Sequence, residues 1–211
     1  MSDKKKSPLP DICPRPPNDF HKLNLRIKQV LPSKLYRSGP RDSGEPFFGR
    51  TAANRFDAPD KAYGTCYLGL DLHTALAETL LHDLRPVSGR FLVAAAQFAS
   101  RWIVRFENVD DQRLKLADLT GIGLLRAGGH AALSAVVPYD VPQQWSHQVH
   151  THPAGFDGIH YLSRKLNDRP AVVLFDKSST RAKLGPPIYT ALPNVKGIDR
   201  ICRDLGIEFF V

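Results

Sequence analysis

Short apolar segments with the composition of β-strands follow one another along this chain without a helix between each pair. RFLVAAAQFA at 90–99 and RWIVRFE at 101–107 are separated by a single residue. Parallel strands need a long, usually helical, crossover, so this order predicts an α+β fold and not a doubly wound sheet. The other strand-like segments are LYRSG at 35–39, TCYLGL at 65–70, LKLADL at 114–119, GIHYLSR at 158–164, AVVLF at 171–175 and IEFF at 207–210.

Helical periodicity is clearest directly after TCYLGL. Asp71 is a favoured N-cap type, and we predict a helix from there to about residue 84. The residues that recur at helical spacing are Leu72, Ala75, Leu76, Thr79 and Leu80. Further helices are predicted at 122–127, at 142–150, with proline in the first turn, and at 193–205, with Gly206 as the stop.

The chain has 211 residues, enough for one domain with a substantial core. Residues 1–20 are polar and proline-rich, and we expect a flexible or surface-hugging arm followed by the domain at 21–211. Glycine, proline, aspartate and serine predict a long loop at 40–59. No GxGxxG motif follows a strand and no P-loop is present, which argues against a Rossmann or P-loop nucleotide site.

Composition gives coarse limits on compartment and partners. Cys13, Cys66 and Cys202 are far apart, as in a reducing compartment. No apolar run approaches the roughly 18 residues of a membrane span, and none follows the first lysines, so we expect a cytoplasmic protein without a secretory signal or membrane partner. The net charge of +8 suits a basic surface, a pocket for a small anion or an acidic protein partner.

The histidine-rich segment HQVHTHPAGFDGIHYLSR at 147–164 raises the question of a metal site. His150 and His152 in HTHP resemble the HxHP motif of JAMM-type metalloproteases, but the serine and aspartate that follow have a different spacing. His147 and His150 share a helix face and could chelate, yet solvated histidines at a helix end are commoner, and we expect no metal. A nucleophilic serine is not expected, because G-x-S-x-G is missing.

Glu78 is the most informative charged residue. It stands among apolar residues of the helix predicted at 71–84, and a buried carboxylate must be either paired or functional. An ion pair with Arg37 or Arg55 is the structural alternative. Tyr67 and Ser163 taken singly are more often a core aromatic residue and a strand serine bonded to the backbone.

Together these residues form a series of motifs that resembles the RES domain, which is named for its arginine, glutamate and serine. The resemblance extends from about residue 35 to residue 175. Asn54 is a departure, because glycine often precedes RFD in this family. The motifs in chain order are Tyr36-Arg37, PFFG at 46–49, NRFD at 54–57, YLG at 67–69, ALAE at 75–78, ADLTG at 117–121, QQW at 143–145 and GIHYLSR at 158–164.

The resemblance implies a single domain similar to the ADP-ribosyltransferase toxins, with mixed, mostly antiparallel sheets flanked by helices around a central cleft. It also implies a toxin that cleaves the nicotinamide–ribose bond of NAD, with NAD as substrate and no further cofactor. Glu78, Arg37 and Ser163 are then candidate catalytic residues, with the carboxylate stabilising positive charge on the ribose.

Three further residues are candidates for substrate binding by the same resemblance. They are Arg55, Tyr67 and Tyr36. A guanidinium binds the pyrophosphate oxygens of NAD well because it donates two parallel hydrogen bonds. Tyr67 could stack on the nicotinamide ribose or hydrogen-bond near it.

The resemblance leaves open which molecule accepts the ADP-ribosyl group, and it indicates the partners only in general terms. Water would make the protein a glycohydrolase, phosphate a phosphorylase, and a protein side chain an ADP-ribosyltransferase. Phosphate would need an extra anion pocket, for which Arg41, Arg50 and Arg164 are available. A non-enzymatic binding module is the alternative of a different class. The family implies an Xre-type antitoxin that blocks the cleft, and contact with DNA only through that antitoxin.

Overall fold

A computed structural model describes residues 12–107 and 109–210 of the chain. Within these residues the strands are β1 (Ile27–Val30), β2 (Arg37–Gly39), β3 (Thr65–Gly69), β4 (Phe91–Ala94), β5 (Trp102–Phe106), β6 (Leu114–Leu119), β7 (Gly158–Leu162), β8 (Pro170–Phe175), β9 (Pro187–Ala191) and β10 (Ile207–Phe210). The helices are α1 (Leu72–Ala77), α2 (Ala95–Ala99), α3 (Gly121–Arg126), α4 (Ala132–Ala135), α5 (Asp140–His150), α6 (Ser178–Leu184) and α7 (Ile198–Asp204). None of these helices is long and apolar enough to cross a bilayer.

The strands form three sheets. The largest has the order β1-β6-β7-β8-β3, and only its β6–β7 pair is parallel. A second sheet, β2-β5-β9, is antiparallel throughout, and β10 pairs with β4 in a parallel ribbon. The α3, α4 and α5 helices lie in the connection between β6 and β7, as a parallel pair requires. The predicted α+β architecture with mostly antiparallel sheets is confirmed.

Both faces of the large sheet are buried, because side chains alternate along each strand. On β8, Val173 and Phe175 join a core cluster that includes Trp145 of α5. The neighbouring Val172 and Leu174 join a second cluster, which contains residues of β5 and therefore lies between the two larger sheets. A third cluster lies beneath α1, β4 and α7. The sheet is thus the middle layer of the domain.

Residues 12–20 pack against α5. Cys13 and Phe20 are buried, and the Phe20 ring meets the Trp145 ring edge-on at 5.4 Å between centroids. The Trp145 indole N–H donates to the carbonyl of Pro14 at 2.8 Å. The first part of the arm expected at 1–20 lies outside the described residues, and the boundary at residue 20 stays a prediction.

Three predicted boundaries are corrected. The helix at 71–84 ends at Ala77, because the chain turns at 78–80 and brings Leu80 and Leu81 into the third core cluster. The segment 90–99 is strand only to Ala94 and continues as α2, whose AAQ sequence favours a helix. The helix predicted at 193–205 begins at Ile198, after Gly197 with φ of 80°.

Other elements lie outside the prediction or differ from it only slightly. The short elements β1, β9, α4 and α6 were not predicted from the sequence. The strand predicted at 158–164 ends at Leu162, so Ser163 lies just beyond β7. The loop predicted at 40–59 is confirmed, since these residues contain neither a helix nor a ladder strand.

Gly69 at the end of β3 lets α1 pack directly on the sheet. A Cβ atom at Gly69 would lie 2.5 Å from the Ala75 nitrogen and 2.7 Å from the Asp71 carbonyl oxygen. Both are backbone atoms of the first turn of α1 and cannot rotate away. The absence of a side chain at Gly69 therefore sets the distance between α1 and β3.

We expect Gly69→Ala to lower the free energy of unfolding by about 2–3 kcal/mol, because overpacking of this kind shifts the backbone. Urea unfolding followed by circular dichroism measures the change. Gly49→Ala is the matched control, because a Cβ there meets only Phe47 Cε1 at an ordinary 3.7 Å. Equal stability of the two variants would contradict the close packing at Gly69.

Candidate active site

A cleft of about 270 Å³ opens where α1 ends beside β3 and β7. Four residues predicted for the site, Arg37, Arg55, Tyr67 and Glu78, line it together. The complete lining consists of Arg37, Asn54, Arg55, Tyr67, Glu78, Thr79, His82, Asp83, Tyr139, Tyr161, Arg164 and Lys165. The cleft therefore gathers residues from widely separated parts of the sequence.

Glu78 is the C-cap residue of α1 and does not lie mid-helix as predicted. Asp71 starts the helix by accepting a hydrogen bond from the Thr74 amide at 2.7 Å. The Glu78 amide donates to the Thr74 carbonyl at 2.9 Å, which holds the residue in the last turn. One short, capped helix thus carries the carboxylate from the end of β3 into the cleft.

Ser163 orients the Glu78 carboxylate. Its hydroxyl donates to Glu78 Oε1 at 2.5 Å. The Ser163 oxygen in turn accepts from the amides of Lys165 at 3.2 Å and Leu166 at 3.0 Å. With 1% of its surface exposed, Ser163 is held in one orientation, and its contact is with the carboxylate.

Neither arginine considered as an ion-pair partner of Glu78 takes that role. Arg37 Nε lies 2.8 Å from Glu45 Oε2, and its Nη1 donates to the Tyr67 carbonyl at 3.1 Å. Across the described ranges, no lysine or arginine forms an ion pair with Glu78. The buried partner of Arg37 is instead Glu45, which was not predicted from the sequence and lies in the loop at 40–59.

Arg55 is held by the end of α4. Its Nη1 donates to the carbonyls of Val136 at 2.8 Å and Leu133 at 3.3 Å, which are acceptors left free at a helix C-terminus. The guanidinium carbon lies 4.8 Å from the Tyr139 ring centroid. Burial lowers the pKa of Arg55 from its usual value. The bonds to carbonyls use Nη1, and among the described residues none accepts a hydrogen bond from Nε or Nη2, so these two nitrogens are the ones that a ligand could meet.

The Tyr67 hydroxyl is already engaged in the protein. It accepts a hydrogen bond from the Phe56 amide at 2.8 Å and donates to Asp57 Oδ1 at 3.1 Å. Burial, followed by the charge of Asp57, raises the pKa of the Tyr67 phenol well above its usual range. Of the two predicted modes for Tyr67, stacking by the ring fits this geometry better than hydrogen bonding by the hydroxyl.

Tyr36 lies beside the main cleft. It lines a smaller adjoining cavity that shares Tyr67, Glu78, Thr79 and Tyr161 with the cleft. Its ring centroid is 5.5 Å from the guanidinium carbon of Arg105. Its predicted role in substrate binding stays a prediction.

Eight of the twelve lining residues were not among the predicted site residues, and Tyr161 and Lys165 are two of them. Tyr161 lines both cavities, and burial, followed by the charge of Glu78, raises the pKa of its phenol well above the usual range. Lys165 follows Ser163 and Arg164 directly. The sequence feature that could have identified Tyr161 as a cleft residue is its position in the GIHYLSR motif.

The three arginines considered for an anion pocket separate in the fold. Arg164 lines the cleft. Arg41 lies over the Phe47 ring, 4.8 Å from its centroid, and Arg50 Nη2 lies 3.0 Å from Asp176 Oδ2. Arg164 is therefore the member of this set that can meet a ligand in the cleft.

Three of the four histidines of 147–164 take separate structural positions. His150 stacks on Tyr63 at 3.8 Å between ring centroids, and His152 Nε2 lies 3.2 Å from the Leu23 carbonyl. His160 Nδ1 lies 2.9 Å from Asp118 Oδ1. Within the part of the chain that the structure describes, no three histidine, cysteine, aspartate or glutamate side chains form a group that could hold a metal ion.

Comparisons with known proteins agree with this architecture. The family model described as the RES domain matches residues 34–193. The fold is similar to a solved structure entitled "Crystal structure of the M.tuberculosis MbcT-MbcA toxin-antitoxin complex", with a TM-score of 0.53 and 12% sequence identity over 80% of this chain and 87% of that chain. At this identity the likeness concerns the fold alone. No curated protein matches the sequence.

We expect His150 to make the protein less stable in mild acid. Burial, followed by the charges of Lys177 and His147, lowers the pKa of His150 to about 4 from a usual value of 6.5. Between these values the unfolded chain binds more protons than the folded protein, so the free energy of unfolding decreases as the pH falls from 6.5 towards 4.

Urea unfolding at pH 7 and pH 5 tests this expectation. His150→Gln should show a smaller difference between the two pH values than the unsubstituted protein. The control is His21→Gln at an exposed position, which should keep the original difference. An unchanged difference in His150→Gln would contradict the prediction.

Proposed function

The chain belongs to the RES domain family, and from this premise we propose that it is the toxin of a toxin–antitoxin module and depletes NAD. The proposed reaction cleaves the bond between nicotinamide and ribose and transfers the ADP-ribosyl group to water or phosphate. The observation that carries the proposal is the position of Glu78, whose carboxylate lies in the cleft and is oriented by Ser163.

The chemistry of this bond suits a carboxylate. When the C–N bond breaks, its electron pair goes to the positively charged ring nitrogen, and neutral nicotinamide leaves. Positive charge then develops on the ribose, which becomes similar to an oxocarbenium ion. Glu78 can stabilise that charge and accept hydrogen bonds from ribose hydroxyls, and a carboxylate already fixed by Ser163 needs no reorientation. A water acceptor forms the new bond to the same ribose carbon through its oxygen and releases a proton to the solvent, whereas phosphate bonds through a negatively charged oxygen and releases none.

The charges around Glu78 suit the rest of NAD. Four cationic side chains line the cleft, and the pyrophosphate of NAD is anionic. They are Arg37, Arg55, Arg164 and Lys165. Arg37 is already paired with Glu45, so Arg55 and Arg164 are the better candidates for the pyrophosphate. The Tyr67 and Tyr161 rings supply apolar walls for the nicotinamide riboside.

Phosphate and water are the acceptors that we propose. Phosphate would bind a cation of the cleft, and Arg164 can take that role when Arg55 alone holds the pyrophosphate. A protein side chain as acceptor would make the protein an ADP-ribosyltransferase with the same Glu78 chemistry. The products of the assay below distinguish these acceptors.

An antitoxin partner is part of the proposal. The structural neighbour from M. tuberculosis is entitled a toxin–antitoxin complex, which supports a protein partner for this chain as well. By family membership we propose an Xre-type antitoxin that blocks the cleft, and contact with DNA only through that antitoxin. The cytoplasmic location expected from the sequence stays a prediction.

Purified protein, free of antitoxin and shown to be folded, should release nicotinamide from NAD. The assay is run with and without phosphate, and the second product identifies the acceptor as water or phosphate; ADP-ribosylated protein would identify the transferase. A chelator should leave turnover unchanged. Absence of nicotinamide in both buffers would overturn the proposal in favour of a non-enzymatic binding module.

Glu78→Gln should lower nicotinamide release by about 100-fold or more, because it removes charge stabilisation in the transition state. The amide oxygen can still accept the Ser163 hydroxyl, so the melting temperature should change little. Glu208→Gln is the matched control, since Glu208 is an exposed carboxylate on β10 that pairs with Arg90 away from the cleft. Turnover retained in Glu78→Gln would contradict the assigned role.

A further inference from the structure

We propose that Asp57 is a positioning residue of the cleft, whose buried carboxylate locks Tyr67 of β3 to the loop that carries Asn54 and Arg55. Asp57 does not line the cleft, whereas those three residues do. The consequence for NAD turnover depends on the proposed function. The positioning itself is a property of the fold and can be tested without a substrate.

The Asp57 carboxylate accepts hydrogen bonds from two directions. On the sheet side, Oδ1 accepts from the Thr65 hydroxyl at 2.5 Å and from the Tyr67 hydroxyl at 3.1 Å. On the loop side, Oδ2 accepts from the Thr51 hydroxyl at 2.9 Å, and from the backbone amide and side-chain amide of Asn54, each at 3.1 Å. One carboxylate therefore joins β3 to the loop at 51–57.

The burial of Asp57 makes the loss of these hydrogen bonds energetically costly. Asp57 is 1% exposed, and no lysine or arginine among the described residues forms an ion pair with it. A buried carboxylate without a counter-ion is costly unless hydrogen bonds replace its hydration. Hydrogen bonds to a charged group are among the stronger ones, so all the donors must stay in place. The loop therefore keeps its conformation, because its hydrogen-bond donors replace the water that would otherwise surround the Asp57 carboxylate.

The same loop is also attached to Tyr67 and to α5. The Phe56 amide donates to the Tyr67 hydroxyl at 2.8 Å, so Tyr67 accepts from the loop and donates to Asp57. On the other side, Gln143 Nε2 donates to the carbonyls of Ala52 and Asn54 at 2.9 Å and 3.0 Å. Arg55 lies between these attachment points, and its place in the cleft depends on them.

Asp157 offers a matched control in the same molecule. It is also buried, with 2% exposed, and it accepts from the Lys115 amide at 2.7 Å, the Thr180 hydroxyl at 3.0 Å and Lys183 Nζ at 2.7 Å. It does not line the cleft. Loss of either carboxylate should destabilise the protein, but only loss of Asp57 should disturb the cleft.

The experiment compares Asp57→Ala, Asp57→Asn and Asp157→Ala in the full chain by hydrogen exchange and by nicotinamide release. In Asp57→Ala, the amides of Asn54 and Phe56 should exchange about tenfold faster or more, as expected for loss of hydrogen bonds to a charged group. The Val173 amide reports global stability. Because a shift of about 1 Å in binding groups can cost 100-fold in rate, kcat/KM for NAD should fall by about that factor.

In amide exchange rate and in kcat/KM, Asp57→Asn should lie between Asp57→Ala and the unsubstituted protein. The nitrogen of the new side-chain amide can donate to the Thr65 and Tyr67 hydroxyls, because a hydroxyl can accept as well as donate. Its oxygen keeps the hydrogen bonds from the backbone and side-chain amides of Asn54, which can only donate. If Asp57→Ala does not fold, this variant decides the proposal: its Phe56 amide must exchange faster and its kcat/KM must fall. Unchanged exchange and unchanged kcat/KM would overturn the inference.

Asp157→Ala separates positioning from general stability. It should lower the melting temperature and leave both the exchange of Asn54 and Phe56 relative to Val173 and the kcat/KM unchanged. If the Asp57 and Asp157 variants lost equal amounts of kcat/KM and of protection at the Asn54 and Phe56 amides, the inference would be overturned. If the unsubstituted protein releases no nicotinamide, the proposed function fails, and the exchange of the two loop amides alone then decides whether Asp57 positions the loop.

Discussion

The contact between α1 and the end of β3 determines where the carboxylate of this protein lies. Gly69 has no side chain, so the first turn of α1 rests on the strand, with Asp71 and Ala75 in the space that a Cβ would need. In the sheet Gly69 pairs with Ala171, and Ala171 pairs with Tyr161. The missing side chain at Gly69 leaves room for the helix, and the short helix ends with Glu78 in the cleft that Tyr161 also lines.

The cleft is held by hydrogen bonds whose ends are distant in sequence. Ser163 fixes Glu78 across 85 residues, and Arg55 is tied to the end of α4 across 78 and 81 residues. Asp57, which does not line the cleft itself, connects the loop to β3. Polar groups fixed before a substrate arrives need little reorganisation during a reaction, which is why such an arrangement suits the stabilisation of a developing charge.

Much of the architecture followed from local patterns. The segments TCYLGL, RWIVRFE, LKLADL and AVVLF are strands because apolar and β-branched residues suit a buried sheet. Asp71 caps α1 as its type and position indicate. The motifs YR, YLG and ALAE identified a family, and Arg37, Tyr67 and Glu78 from these motifs do meet in one cleft. Local signals were weaker for β1, β9 and α4, which are short and acquire their structure from pairing and packing.

The sequence by itself determined the class of fold, the family and four of the twelve residues that line the cleft. Only the tertiary structure decided that Arg37 pairs with Glu45, that Ser163 donates to Glu78, and that His150, His152 and His160 contact different partners. The tertiary structure also decided that α1 ends at Ala77 and that Asp57 is buried. The physical reason is that periodicity reports which side of an element is buried, whereas a hydrogen-bond partner depends on which distant segment packs there.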